Sequence, residues 1–439
     1  MKHRIQCLCF LLIMLGLLSG CMRTADELYR LPKRSDDYYN LQSSIDNAMS
    51  GLSYCAPLTG ENQQTVQMAD LDGDGDSEYL LFAKGTDEKP LRILVFRKID
   101  DTYVNTDTVS CSGMAFDQVE YVDMDGIGGV EIVVGRQLND QVIRSVSVYT
   151  FKEDQLVQLV SANYTKFLTV DLDGDKLWEL FLLRPGQTDT DNGVAELYSA
   201  KSGTMERYNE VGMSQPADKL KRIIIGKLDG GKPAVYVASA AGDTALVTDV
   251  YSLVDNKLNN IAFSNLSGTD VRTLRNFYIY ADDIDNDTIV ELPSLITMKP
   301  RDEKMPIDTH LLIRWYAMRP DGEEVNKMYT YHNFVGGWYL QLESNWVPRV
   351  VVYDTGHQFE FYLWDEFYKP TDKIMTIYEL TAQNREEQAM QDSRFVLLKT
   401  DSTVYAAQLE ATAESLGLSQ ERVTQSFQLI QQDWKTGET

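Results

Sequence analysis

Five short acidic segments hold the residues best suited to chemistry. The first reads Asp70-Leu-Asp-Gly-Asp-Gly-Asp-Ser-Glu78. Side chains of a tightly curled loop point inward at every second residue, and a hard cation such as calcium takes several oxygen ligands from such a loop. Asp70, Asp72 and Asp74 would supply positions one, three and five. The carbonyl of Asp76 would supply position seven, and Glu78 closes the set at position nine. Gly75, at position six, permits the sharp turn.

Related segments start at residues 123, 171, 227 and 283. The third keeps Asp171, Asp173, Asp175 and Glu179 but has Lys176 at the glycine position. The fifth keeps Asp283, Asp285, Asp287 and Glu291, with Thr288 there. The second retains Asp123, Asp125 and Glu131 and loses its position-five carboxylate to Ile127. The fourth has only Asp229, with Lys227 at position one. As calcium sites, the loops therefore rank first, then third and fifth, then second, with the fourth excluded. The alternative is a set of metal-free turns whose carboxylates bond backbone N–H groups. If occupied, the sites would be weak and structural, with Kd around 10⁻⁴–10⁻³ M as in extracellular modules.

The flanks repeat with the loops. An apolar stretch precedes each one: Val66 to Ala69, Val119 to Val122, Phe167 to Val170, Ile223 to Gly226 and Phe277 to Ala281. Most are followed by another: Tyr79 to Phe82, Ile132 to Val134, Leu180 to Leu183 and Tyr236 to Ala238. A further strand then carries Phe96, Tyr149, Tyr198, Tyr251 or Tyr316. Strand, acidic loop, strand, turn, strand and a weaker fourth strand give a unit of about 50 residues, the length of a four-stranded propeller blade. One such sheet leaves apolar faces open, so the units must stack or close on one another.

This unit resembles the FG-GAP/VCBS repeat of the integrin α-subunit propeller and of many bacterial surface proteins. The resemblance covers roughly residues 55–330. It implies a mainly β chain, with a β-propeller of about five four-stranded blades (six or seven being the alternatives) over residues 38–335. Residues 336–439 change character and read as a small α+β domain. Strands are expected at Gly337 to Leu342, Arg349 to Tyr353, Gln358 to Trp364, Lys373 to Leu380, Phe395 to Lys399 and Thr403 to Leu409. Asn384 to Asp392 reads as helical, and Ser419 opens a C-terminal helix with Val423, Phe427 and Ile430 at helical spacing.

The N-terminus has its own pattern. Lys2, His3 and Arg4 precede an apolar run from Ile5 to Leu18, too short to span a bilayer, which needs about 20 residues. Leu18-Ser-Gly-Cys21 resembles the lipobox of bacterial lipoproteins. The resemblance implies a signal peptide over 1–20, lipidation of Cys21, and a tether over 21–37. The chain would then be held at the outer face of the bacterial cytoplasmic membrane or on the cell surface. The membrane, reached through that lipid, would be one partner.

Forty-one basic against 66 acidic side chains give a net charge of −25, which repels nucleic acid. Beyond Cys7, Cys9 and Cys21, two cysteines remain. Cys55 and Cys111 each precede a repeat loop and form either a disulfide or two buried thiols.

No catalytic constellation is readable. His310, His332 and His357 lie apart, and there is no nucleophile elbow or phosphate-cradling glycine loop. Gly336-Gly337-Trp338, Trp346, Tyr362 and Trp364 read as β core rather than a sugar-stacking surface. The expectation is a non-catalytic binding or scaffold module for a protein or glycan ligand. The alternative is an extracellular polysaccharide hydrolase or lyase built on a propeller.

Overall fold

The computed structural model describes residues 36–139, 143–188, 191–200, 203–263, 271–296, 298, 310–347, 349–364 and 373–430. The expected signal peptide, Cys21 and nearly all of the expected tether lie outside them. No helix among the described residues is long and apolar enough to cross a membrane.

The chain is mainly β, and its described residues form six antiparallel sheets. In the first, Ser53–Tyr54 and Val66–Ala69 share one edge of Glu78–Lys84, followed by Leu91–Ile99 and Thr102–Cys111. The second runs Ala115–Val122, Glu131–Gln137, Arg144–Lys152, Gln155–Tyr164. The third runs Lys166–Val170, Glu179–Arg184, Val194–Ser199, Glu206–Gly212. The fourth runs Leu220–Lys227, Pro233–Ala240, Leu246–Val254, Lys257–Asn260. The expected aromatics Phe96, Tyr149, Tyr198 and Tyr251 all fall on third strands. The weakly legible fourth strand follows a two-residue turn in three sheets. At Asp100-Asp101, Glu153-Asp154 and Asp255-Asn256 both residues have positive φ, the hairpin geometry that matches strand twist.

Alternation along each strand sends successive side chains to opposite faces, and here both faces are covered. On Glu179–Arg184, Leu180 and Leu182 pack toward the second sheet while Phe181 and Leu183 pack toward the fourth. The first sheet meets the second through Phe82, Ile93, Phe116 and Ile132. The fourth meets the fifth through Tyr236, Val250, Leu292 and Tyr316. Burial on both faces explains the near-continuous apolar runs of the second strands. Each fully buried large side chain contributes about 1.5–3 kcal/mol. The first sheet's outer face is covered by the helix Asp36–Ala48. Its Leu41, Ile45 and Ala48 share one stripe and pack on Leu81, Leu94 and Phe96. Among the described residues, no apolar cluster joins this face to the last sheets.

The C-terminal region departs from expectation in two places. Trp338–Leu342 pairs with Glu324–Asn333, so the boundary expected at 335/336 runs through the fifth sheet, Leu292–Ile296, His310–Met318, Glu324–Asn333, Trp338–Leu342 and Phe427–Leu429. Ser419 caps a helix by accepting the Arg422 N–H at 3.2 Å, as expected. That helix, however, ends at Ser426, and Phe427 starts the sheet's last strand because its ring packs against Trp338 and Tyr405. The sixth sheet, Val350–Asp354, Gln358–Leu363, Met375–Leu380, Val404–Leu409 and Phe395–Lys399, shares one apolar cluster with the fifth. Trp338, Trp346 and Trp364 are buried in it or beside it, as the core reading anticipates. Phe277 to Ala281 forms no strand; only the bridge Asp282–Glu291 continues the pattern there.

Cys55 and Cys111 are free thiols, and they lie on one sheet rather than on neighbouring units. Cys55 continues the edge strand, its N–H bonded to the Phe82 carbonyl, while Cys111 ends the strand three places across. Three strand spacings put them roughly 14 Å apart, against the 7 Å a disulfide allows.

Candidate metal centres

Four acidic loops join a first strand to a second, and the fifth joins the bridge at Asp282 to the strand Leu292–Ile296, so all five precede the matching strand of their sheets. The position-one aspartate shapes the turn. In the first loop Asp70 accepts from the N–H groups of Gly73 (2.7 Å) and Gly75 (3.1 Å). Asp171 does the same for Gly174 (2.7 Å) and Lys176 (3.1 Å), and Asp283 for Asp287 (2.9 Å) and Thr288 (2.8 Å). Position six has positive φ throughout these loops, at 93° for Gly75, 75° for Lys176 and 73° for Thr288. The loss of glycine in the third and fifth loops therefore does not change the turn.

Position two is an apolar plug that the spacing argument did not single out. Leu71, Met124, Leu172 and Ile284 are buried, and each donates its N–H to the closing glutamate, at 2.9, 2.8, 2.8 and 3.0 Å to Glu78, Glu131, Glu179 and Glu291. The loops are also tied in series. The N–H at position eight donates to the position-one carbonyl of the preceding loop: Val130 to Asp70 (3.1 Å), Trp178 to Asp123 (3.0 Å) and Val290 to Lys227 (3.0 Å).

In four loops the carboxylates of positions one, three and nine converge, with oxygens within 4.8 Å of one another. The trios are Asp70, Asp72, Glu78; Asp123, Asp125, Glu131; Asp171, Asp173, Glu179; and Asp283, Asp285, Glu291. Such clusters of oxygens can hold a metal ion. The second loop, ranked low for lack of a position-five acid, forms the same trio. The expected carboxylates at position five do not join these trios. Asp74, Asp175 and Asp287 turn back to accept the N–H two residues on, each at 2.8 Å, and Asp76 supplies such an N–H to Asp74. Their carboxylates lie outside the set of oxygens that converge within 4.8 Å.

The residue opposite the closing glutamate differs between sheets. The aromatic of the third strand pairs with the residue after that glutamate, as in Tyr79–Phe96, Ile132–Tyr149, Leu180–Tyr198 and Leu292–Tyr316. The next residue therefore lies beside the carboxylate: Arg97, Thr150, Ser199 or Ala317. Arg97 Nη2 is 2.6 Å from Asp72 and 3.0 Å from Asp74, its Nε is 3.3 Å from Glu78, and its Nη1 is 2.5 Å from Asp154. Thr150 bonds Glu131. Ala317 offers nothing, and Glu291 Oε1, fully buried, has no hydrogen-bond partner among the described residues. Sequence reasoning aligned the aromatics and overlooked the residue after them; comparing that one column would have exposed Arg97.

Electrostatics follow this series. Burial raises all four glutamates above the ordinary carboxylate range, against the opposing backbone N–H bond and with help from the neighbouring aspartates. Glu179 is pushed up to about 7 and Glu291 to about 8. At the fifth loop Lys327 pairs with Asp287 (3.3 Å) and with Asp229 of the fourth loop (3.6 Å), which Arg319 also holds at 3.0 Å. His332 is buried and stacked on Tyr339, and burial lowers it to about 3, so it stays neutral.

No protein-family model matches the chain, and no curated protein matches it. Among solved structures it is similar to the rhamnogalacturonan lyase YesW, at 15% identity and TM-score 0.30 over 73% of this chain and 58% of that one. It is also similar to the exotype rhamnogalacturonan lyase YesX, at 14% and 0.29 over 72% and 80%. A Bacillus licheniformis rhamnogalacturonan lyase follows at 14% and 0.27 over 73% and 71%. The chain thus spans 58% of the length of the first of these structures, and at such TM-scores the likenesses carry no argument about function.

Proposed function

We propose that this chain is a lipid-anchored, extracytoplasmic and non-catalytic binding or scaffold protein. Its sheets are propeller-type blades of the FG-GAP/VCBS kind, and calcium fixes its acidic loops. The observation that carries this reading is the fourfold repetition of one carboxylate trio on equivalent loops, the first three of them tied by the bond from position eight to position one. A catalytic carboxylate pair is a singular arrangement, with two groups held in different environments. Four copies of one trio fit a structural cation repeated with the fold, calcium in those loops whose trio meets no charged side chain. The lipid on Cys21 would hold the array outside the membrane, and the strong negative charge suits a protein or glycan partner rather than nucleic acid.

The test is thermal unfolding of the full chain in non-ionic detergent, with 5 mM calcium and with a chelator. A ligand that binds only the folded state raises the midpoint. We expect a rise of several degrees that magnesium does not reproduce. Identical midpoints in calcium and chelator would remove calcium from the reading.

A further inference from the structure

We infer that Arg97 is the built-in cation of the first acidic loop, closing to metal the very loop whose sequence is richest in ligands. The guanidinium reaches Asp72, Asp74 and Glu78 at 2.6, 3.0 and 3.3 Å, so it bonds two members of the converging trio and the position-five acid together. It is anchored from the other side by Asp154, in the two-residue turn of the neighbouring sheet. A planar guanidinium with five donors suits several carboxylates at once, and its charge cannot be titrated away. A divalent ion entering this loop would have to displace it against four carboxylates. The equivalent place on other sheets holds Thr150, Ser199 and Ala317, none of them charged. At the fifth loop the consequence is visible, since Glu291 is fully buried in a trio with Asp283 and Asp285 and one of its oxygens lacks any hydrogen-bond partner among the described residues.

This inference rests on the calcium reading only for the loops other than the first. The experiment is calcium stoichiometry by equilibrium dialysis on the full chain in detergent. Asp70→Asn with Asp72→Asn should leave the number of bound ions unchanged. Arg97→Ser, which installs the third sheet's residue, should add one ion per chain, and the two Asn changes in that background should remove it again. Loss of an ion from the otherwise unmodified chain on Asp70→Asn with Asp72→Asn would overturn the inference, and this arm does not depend on Arg97→Ser folding. A folded Arg97→Ser chain that gains no ion would overturn it equally. A chain that binds no calcium until Arg97 is replaced would sink the calcium reading and leave the role of Arg97 standing.

Discussion

The first and fifth acidic loops share one backbone trap and answer its electrostatic problem in opposite ways. Both bury a closing glutamate, bond it to the N–H at position two, and bring two aspartates against it. In the first loop a guanidinium from the third strand bonds the cluster and offsets part of its charge. In the fifth, Ala317 stands in that place, and burial drives Glu291 up to about 8. The comparison teaches that ligand count in a loop sequence is a poor guide to ion demand. Demand is set by the charge left uncompensated once the neighbouring strand has packed.

The sharpest way to probe that difference is pH. Glu291 and Glu179 hold their protons in the fold up to about 8 and about 7, whereas in the unfolded chain they ionise near 4.5. A raised carboxyl favours the fold below the unfolded value and loses that advantage as pH climbs to the folded one. In chelator, then, these groups withdraw stability between about pH 4.5 and 8. Each tenfold preference for the proton is worth about 1.4 kcal/mol, so Glu291 alone is worth on the order of 5 kcal/mol. Calcium takes the ionised form, so its stabilisation should grow over the same window and offset the loss. Urea unfolding at pH 5.5 and 8 measures this, and Glu291→Gln, which cannot titrate, should flatten the chelator profile. A wild-type profile already as flat as that of Glu291→Gln would show that the fifth cluster is compensated after all.

Substitution at the two closing positions sharpens the comparison further. Arg97→Ala leaves Glu78 buried among aspartates without its cation. Breaking a buried pair costs about 3–5 kcal/mol, and the one-quarter exposure of Arg97 reduces this to about 2 kcal/mol. The loss should shrink in millimolar calcium, because the ion can take the vacated place. The mirror change, Glu291→Gln in chelator at pH 8, should instead raise stability, since it removes an uncompensated charge. Opposite signs for the two in denaturant melts are expected; equal losses would mean that the two loops are electrostatically alike.

Much of this was legible in the chain, and the parts that were not share a cause. The loops, their second strands and the aromatic of each third strand follow from spacing, because period-two burial and turn chemistry are local properties. The trio at positions one, three and nine followed from alternate geometry. That Asp74, Asp175 and Asp287 lie outside it did not, since alternate spacing fixes the side of the loop a residue occupies and not the distance its carboxylate keeps from the others. Arg97 lies 19 residues beyond Glu78 and meets it only through strand pairing. Pairing across the sheet likewise decided Trp338–Leu342, which reads as the start of a new domain and instead completes the fifth sheet. Cys55 and Cys111 looked equivalent by their distance to a loop, whereas strand order placed them at opposite sides of one sheet.

The smallest expected effect isolates backbone from charge. Thr288 has φ 73°, a region in which a β-branched side chain crowds the backbone, and Gly75 occupies the matching place in the first loop at φ 93°. The Thr288 N–H bond to Asp283 at 2.8 Å holds it there. Thr288→Gly keeps that bond and relieves the crowding, while the unfolded chain gains freedom that partly cancels the benefit. The net should be a stabilisation of about 0.5–1 kcal/mol, equal in calcium and in chelator because no ligand oxygen is touched. Glycine at this position would then be a matter of turn strain alone, and its absence from the third and fifth loops would carry no information about whether an ion binds. A gain that appears only in calcium would tie the turn's geometry to the ion, and the sequence ranking that penalised Lys176 and Thr288 would recover its force.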